Sequence, residues 1–224
     1  MTYSFLNWLL LLAPALLNFI TAYLYKKRAI QKQQSIVAND HIGRIIGIQI
    51  FIILFLVGHF AQLFSLQQFL FCFQINFWVV GYILFFAAVI RLMQYLTFKK
   101  GIPPAFQIFS THQYPTIFIV QYVYVWINYL FVYEFYFRAV LLFVLQDWVG
   151  TIWSVIINVM LYTIVHLHKN KKEIVGSIPL GVALCLITLH TQSVWPAFII
   201  HCLLPLHFEL PFLIKNSSFT LKKI

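Results

Sequence analysis

Seven long apolar runs, separated by segments that alternate between basic and free of basic residues, constrain this chain more than any other feature of its sequence. The runs cover roughly residues 4–25, 45–65, 77–97, 116–146, 149–167, 174–191 and 194–213. A helix that crosses a bilayer needs about 20 predominantly apolar residues, so each run is long enough, or nearly so, to span. Only 9% of the 224 residues are charged and 62% are hydrophobic. A soluble domain carries about 25% charged residues, which excludes that class here. The expected fold class is an all-α, polytopic transmembrane helix bundle of about seven spans, integral to the cell membrane and in contact with the lipid bilayer.

The charge of +10 comes from 15 Lys and Arg against 5 acids. Its distribution argues for membrane topology and against a nucleic-acid partner. Segments 26–44, 98–115, 168–173 and the tail hold 13 of the 15 basic residues, and the intervening segments 66–76, 147–148 and 192–193 hold none. Basic residues resist translocation, so this split places the amino terminus outside and the carboxyl terminus in the cytoplasm. The run 4–25 has no basic residues before it and is followed at once by Lys26-Lys27-Arg28. That is the pattern of a span stopped by charge rather than of a cleaved leader. The fourth run is too long for a straight crossing at 1.5 Å per residue, so it is expected to tilt, kink or project. The chain divides into three amino-terminal spans over 1–114, a core of four spans over 115–213 and a basic cytoplasmic tail over 214–224.

Two basic residues fall inside spans, Arg91 and Arg138. Arg91 sits near the cytoplasmic end of its span and can snorkel to the headgroups. Arg138 follows Glu134 by four residues, so the two share a helix face and are expected to form a structural ion pair. Ionisable residues inside a bilayer mark function by default. His166 closes the fifth run and His201 lies in the seventh. Glu134 precedes Trp148 by 14 residues and His166 follows it by 18, so on an antiparallel hairpin turning near Gly150 their depths differ by only about 6 Å. His201 joins that level only if the seventh span starts deep or tilts. His59 is expected to make a hydrogen bond within the bundle. His41, His112, His168, His190 and His207 receive no role. A carboxylate and two imidazoles at one depth could activate water, ligate a metal or relay protons, and spacing alone does not choose among these. Cys72, Cys185 and Cys202 have neither a CxxC pair nor zinc-type spacing and read as small core residues.

The segments Tyr133-Glu134-Phe135-Tyr136-Phe137-Arg138, Tyr162-Thr163-Ile164-Val165-His166 and His201-Cys202-Leu203-Leu204-Pro205, in this order on apolar helices, resemble the CAAX protease and bacteriocin-processing (CPBP) family, also called type II CAAX prenyl endopeptidase or Abi-like. The stretch Leu189 to Ala197 resembles the family's lead-in to its last histidine, and the resemblance covers about residues 115–210. It implies an intramembrane protease whose motifs are Glu-Glu-x-x-x-Arg, aromatic-x-x-x-His and His-x-x-x-Asn. It also implies catalytic roles for Glu134, His166 and His201. Two positions depart from the pattern. Tyr133 stands where the family has the first glutamate of its pair, taken to activate water with the histidine of the second motif. Pro205 stands where it has the asparagine taken to share oxyanion stabilisation with the last histidine. A tyrosine, with a reference pKa of about 10, is not a ready base at neutral pH.

These features leave two principal readings. One is an endopeptidase hydrolysing peptide bonds of membrane-associated substrates, such as prenylated proteins or leader peptides. The other is a catalytically inactive pseudoprotease that binds a membrane peptide or partner protein. A small transporter ranks last, since no inverted repeat is visible. No cofactor and no metal ion is expected.

Overall fold

Lipid offers the backbone no hydrogen-bond partners, so a chain of apolar runs resolves into helices that satisfy themselves. The structure, a computed structural model, describes residues 4–31, 36–62, 64, 69, 73–99, 101 and 114–215. The helices are α1 (Phe5–Gln31), α2 (Ile36–Phe60), α3 (Phe77–Phe98), α4 (Thr116–Glu134), α5 (Leu142–Val149), α6 (Thr151–His166), α7 (Lys171–Thr191), α8 (Trp195–Phe208) and α9 (Leu210–Lys215). A π-helical segment, Phe135–Leu141, joins α4 to α5. Together they form an all-α polytopic bundle. Among the described residues six helices are long and apolar enough to cross a membrane, and the shorter apolar α6 makes a seventh crossing element.

Local chemistry sets the ends. Asn76 and Asn170 cap α3 and α7, their side chains accepting from the amides of Val79 at 3.1 Å and Glu173 at 3.0 Å. Pro196 occupies the first turn of α8, where its missing N–H costs nothing. A single residue, Gly150, separates α5 from α6. Its φ of 82° lies in a region that side chains other than glycine's rarely enter, and this permits so abrupt a reversal.

The continuous stretch Thr116–Val149 is 34 residues long, about 51 Å of helix at 1.5 Å per residue. The π-helical segment interrupts it and supplies the departure from a regular α-helix that its length demands. This stretch is also the centre of the bundle: 61% of its most apolar window is buried, against 11% for α3. Helices α1 and α2 pack on each other, α2 on α4, α6 on α7, and α8 against α3 and α4. The main core gathers Leu11 and Ala15 of α1, Phe51 of α2 and Leu161 and Tyr162 of α6 around Tyr133, Phe137 and Leu141.

Several sequence expectations change here. Lys26, Lys27, Arg28 and Arg44, expected in a loop over 26–44, lie instead on helices, because α1 runs on to Gln31 and α2 begins at Ile36. Arg44 is buried. Its Nη2 lies 2.5 Å from Asp40 Oδ2, and its guanidinium sits over the rings of Trp126 and Tyr122 at 4.6 and 5.1 Å. An acid one helical turn away and two aromatic faces make that burial tolerable. Arg91 bonds Gln94 on its own helix, at an exposed position. Nδ1 of His59 makes no hydrogen bond among the described residues, so the expected bundle bond is not formed there. Cys72 and His112 lie outside the described residues.

Close packing of α2 on α4 depends on Gly47. A Cβ at this position would fall 2.8 Å from Cε2 of Tyr129, whose hydroxyl is bonded to Asn18 of α1. Gly47→Leu is expected to destabilise the protein by about 1–3 kcal/mol through overpacking. Gly43→Ala, where the nearest side-chain atom is 3.8 Å away, should be neutral or stabilising by up to about 1 kcal/mol. Thermal unfolding in detergent compares the two.

Candidate active site

The buried ion pair comes first, because the remaining groups are arranged on it. Glu134 closes α4 and Arg138 lies in the π-helical segment, and neither side chain is exposed at all. Arg138 Nε donates to Glu134 Oε2 at 2.9 Å. Arg138 Nη1 donates to Asn158 Oδ1 of α6 at 2.7 Å and approaches Cys185 Sγ of α7 at 3.1 Å. The guanidinium also lies over the ring of Tyr162, 4.8 Å from its centroid. Asn158 in turn donates through Nδ2 to the Phe137 carbonyl at 2.6 Å, inside the π-helical segment. Three elements thus clamp one arginine, and that arginine holds one oxygen of one carboxylate.

The other oxygen belongs to His201. Glu134 Oε1 and His201 Nδ1 are 2.5 Å apart, although 67 residues separate them in sequence. A carboxylate only accepts, so Nδ1 carries the hydrogen and the ring is fixed with Nε2 turned away. The segment that leads into the helix of His201 is anchored in the bundle. Gln192 takes a left-handed conformation, Ser193 and Val194 are fully buried, and the Trp195 indole donates to the Phe73 carbonyl at 2.8 Å. The seventh span therefore begins inside the protein rather than at its rim.

His166 is oriented by its own helix. Its Nδ1 lies 2.7 Å from the Tyr162 carbonyl, one turn earlier. A carbonyl only accepts, so Nδ1 is the protonated nitrogen and Nε2 keeps its lone pair in the neutral ring. No hydrogen bond joins His166 to Glu134 or His201 among the described residues. The two imidazoles instead share an aromatic neighbour: the Tyr162 ring centroid lies 4.6 Å from that of His166 and 6.2 Å from that of His201.

Tyr133 occupies the same chamber. Its ring meets the His201 ring edge-on at 5.7 Å and packs on Phe51, Phe137 and Tyr162. Neighbouring positions 133 and 134 thus both reach His201, one with a ring and the other with a carboxylate. Pro205 is buried one turn beyond His201. It has no N–H to donate to the His201 carbonyl and no side-chain donor to offer the site.

Sequence reasoning missed Asn158 and undervalued Cys185. An uncharged amide in the middle of an apolar span was a usable signal, since a polar side chain there needs a partner. Cys185 carries no such signal, because a free cysteine behaves like a small apolar residue until a donor is aimed at it. Cys202 is partly buried. Among the described residues no three His, Cys, Asp or Glu side chains gather as metal ligands would. The arrangement offers Nε2 of His166, Nε2 of a carboxylate-held His201, and the rings of Tyr133 and Tyr162 packed against them. These groups suit proton transfer and hydrogen bonding to a polarised carbonyl.

Residues 115–206 match the family profile described as type II CAAX prenyl endopeptidase Rce1-like. The matched segment runs from the start of α4 into α8 and contains Glu134, Arg138, His166 and His201, which bears out the resemblance read from the motifs. No curated protein matches the chain. No solved structure matches it either.

The buried pair makes a prediction of its own. Glu134→Gln strands Arg138 without its counter-charge and is expected to cost about 3–5 kcal/mol. The double replacement Glu134→Gln with Arg138→Met removes both charges and should recover much of that loss. A double-mutant cycle of thermal unfolding measures the difference.

Proposed function

We propose that this CAAX-protease-like integral membrane protein is an intramembrane endopeptidase acting on membrane-associated peptides. The observation that carries this reading is the Glu134–His201 bond, formed inside the bundle beside a His166 ring whose Nε2 is free to accept a proton. In this reading His166 Nε2 takes a proton from water as its oxygen attacks the scissile carbonyl carbon. In this reading His201, held by Glu134 through Nδ1, carries a second proton on Nε2 and donates it as a hydrogen bond to the carbonyl oxygen as that oxygen gains negative charge. Collapse of the tetrahedral intermediate breaks the C–N bond, and His166 returns the proton to the leaving nitrogen. Glu134 has both oxygens engaged, so its part is to orient His201 rather than to serve as the base. Arg138 keeps that carboxylate ionised and in place. The expected substrates are prenylated carboxyl-terminal segments, leader peptides or other peptides held at the membrane. The amino terminus lies outside and the carboxyl terminus in the cytoplasm, as the basic segments favour.

A second reading rests on Tyr133 and Pro205, which leave this site without the glutamate and the asparagine that the family motifs place there. On that reading the protein is a pseudoprotease that binds a membrane peptide without cutting it.

The test uses purified full-length protein and a peptide pool that includes prenylated carboxyl-terminal peptides, with products read by mass spectrometry. Cleavage by wild type is expected to fall at least about 10²-fold in His166→Ala, which leaves the buried ion pair intact, and in the double variant Glu134→Gln with Arg138→Met, which removes both buried charges together. Cleavage confined to Tyr133→Glu would establish the pseudoprotease. Orientation is checked separately: a carboxyl-terminal tag should resist external protease in right-side-out vesicles, and its digestion would reverse the assignment.

A further inference from the structure

Two buried hydroxyls beside the two histidines bond to nothing among the described residues: Tyr133 Oη and Tyr162 Oη. Tyr133 is 2% exposed and Tyr162 not exposed at all. Buried hydroxyls are ordinarily hydrogen-bonded, and an unpaired one opposes folding. A phenylalanine at either position would keep the ring contacts to Phe137, His166 and His201 without that penalty. The hydroxyls therefore call for a ligand, and the surroundings say what kind.

Both rings pack against the His201 side of the Glu134–His201 bond. Their centroids are 5.9 Å apart. Tyr133 meets the His201 ring at 5.7 Å, and Tyr162 lies between His166 and His201. Near them Arg138 Nη2 is a third buried donor with no hydrogen bond among the described residues, and the guanidinium rests on the Tyr162 ring. The single carboxylate of the chamber is already bonded on both oxygens. Unpaired donors thus pack around the two histidines, both of which are engaged through Nδ1, leaving Nε2 of each ring without a hydrogen bond among the described residues. A cluster of this composition fits an oxygen that becomes more negative during reaction.

We propose that the Tyr133 and Tyr162 hydroxyls donate hydrogen bonds to the scissile carbonyl oxygen as it becomes an oxyanion, alongside His201. This rests on the endopeptidase reading. A tyrosine hydroxyl has a reference pKa of about 10, so it enters the reaction as a protonated donor. No proton leaves either tyrosine. The O–C bond to water forms and the C–N bond breaks as above, with the proton moving from water to the leaving nitrogen through His166. The hydroxyls strengthen their bonds only while the oxygen carries charge, which is the condition for raising kcat rather than lowering KM. Pro205 cannot contribute such a donor, so Tyr133 has a use at this site that a glutamate would not share.

The experiment compares full-length wild type, Tyr133→Phe, Tyr162→Phe, the double variant and His166→Ala. Turnover is measured on the peptide pool and thermal unfolding without substrate. The expected result is a drop in kcat of about 10²–10³-fold for each phenylalanine variant, with KM within about threefold of wild type. The melting temperature should be equal to or above that of wild type. A purely structural hydroxyl gives the opposite signature, so a lowered melting temperature in the phenylalanine variants overturns the proposal whatever the substrate. Phenylalanine variants that cleave like wild type, while His166→Ala does not, overturn the proposal and leave the endopeptidase reading standing. Absence of cleavage by wild type removes both together.

Discussion

The carboxylate of Glu134 is the interaction on which the rest depends. An ion inside a bilayer is tolerated only when its charge is met and its hydrogen-bonding capacity is filled. Here one oxygen is met by Arg138 and the other by His201. Arg138 in turn requires Asn158 and Cys185, which lie on two further helices. The consequence is a chain of obligations through α4, the π-helical segment, α6, α7 and α8. Each helix must keep its register for the pair to remain neutralised. Apolar packing alone would not impose this, because lipid tails are as apolar as leucine and give spans little reason to choose one neighbour over another.

The π-helical segment serves the same end. Its i→i+5 pairing widens the turn, a feature often found at functional sites. Within it Phe137, Ala139 and Leu141 are wholly buried, and Asn158 donates to the Phe137 carbonyl. The irregularity is thus enclosed by protein rather than facing lipid, as backbone chemistry in a membrane demands. The amino-terminal helices contribute to that enclosure. Tyr136 donates to the Leu11 carbonyl at 2.7 Å, and Phe51 packs on Tyr133. The family profile begins at residue 115, yet side chains of α1 and α2 wall its core from outside the matched segment.

Two buried arginines illustrate two ways of tolerating the same charge. Arg44 pairs with Asp40 and lies under Trp126 and Tyr122. Arg138 has the same i, i+4 acid and an aromatic face from Tyr162. The difference lies in the acid's second oxygen. Asp40 Oδ2 accepts from the Tyr122 hydroxyl at 3.2 Å as well as meeting Arg44. Glu134 gives its second oxygen to an imidazole. Only the latter joins its carboxylate to a side chain of the candidate site.

What the sequence determined by itself was the existence of the spans, their approximate limits and the turn at Gly150. Hydropathy and charge spacing act locally, and a bilayer permits few alternatives to a helix. Helix ends near 26–44 escaped it, because basic residues are as comfortable on a helix that outruns the membrane as in a loop. The roles of Asn158, Cys185 and Tyr162 and the reach of His201 were decided by tertiary structure alone. Nothing near Cys185 in sequence reveals that Arg138 points at it, and nothing near His201 reveals that its ring meets Glu134. Those facts depend on which helices face one another and at what depth. That choice is made by the need of one buried ion pair for partners from elsewhere in the chain.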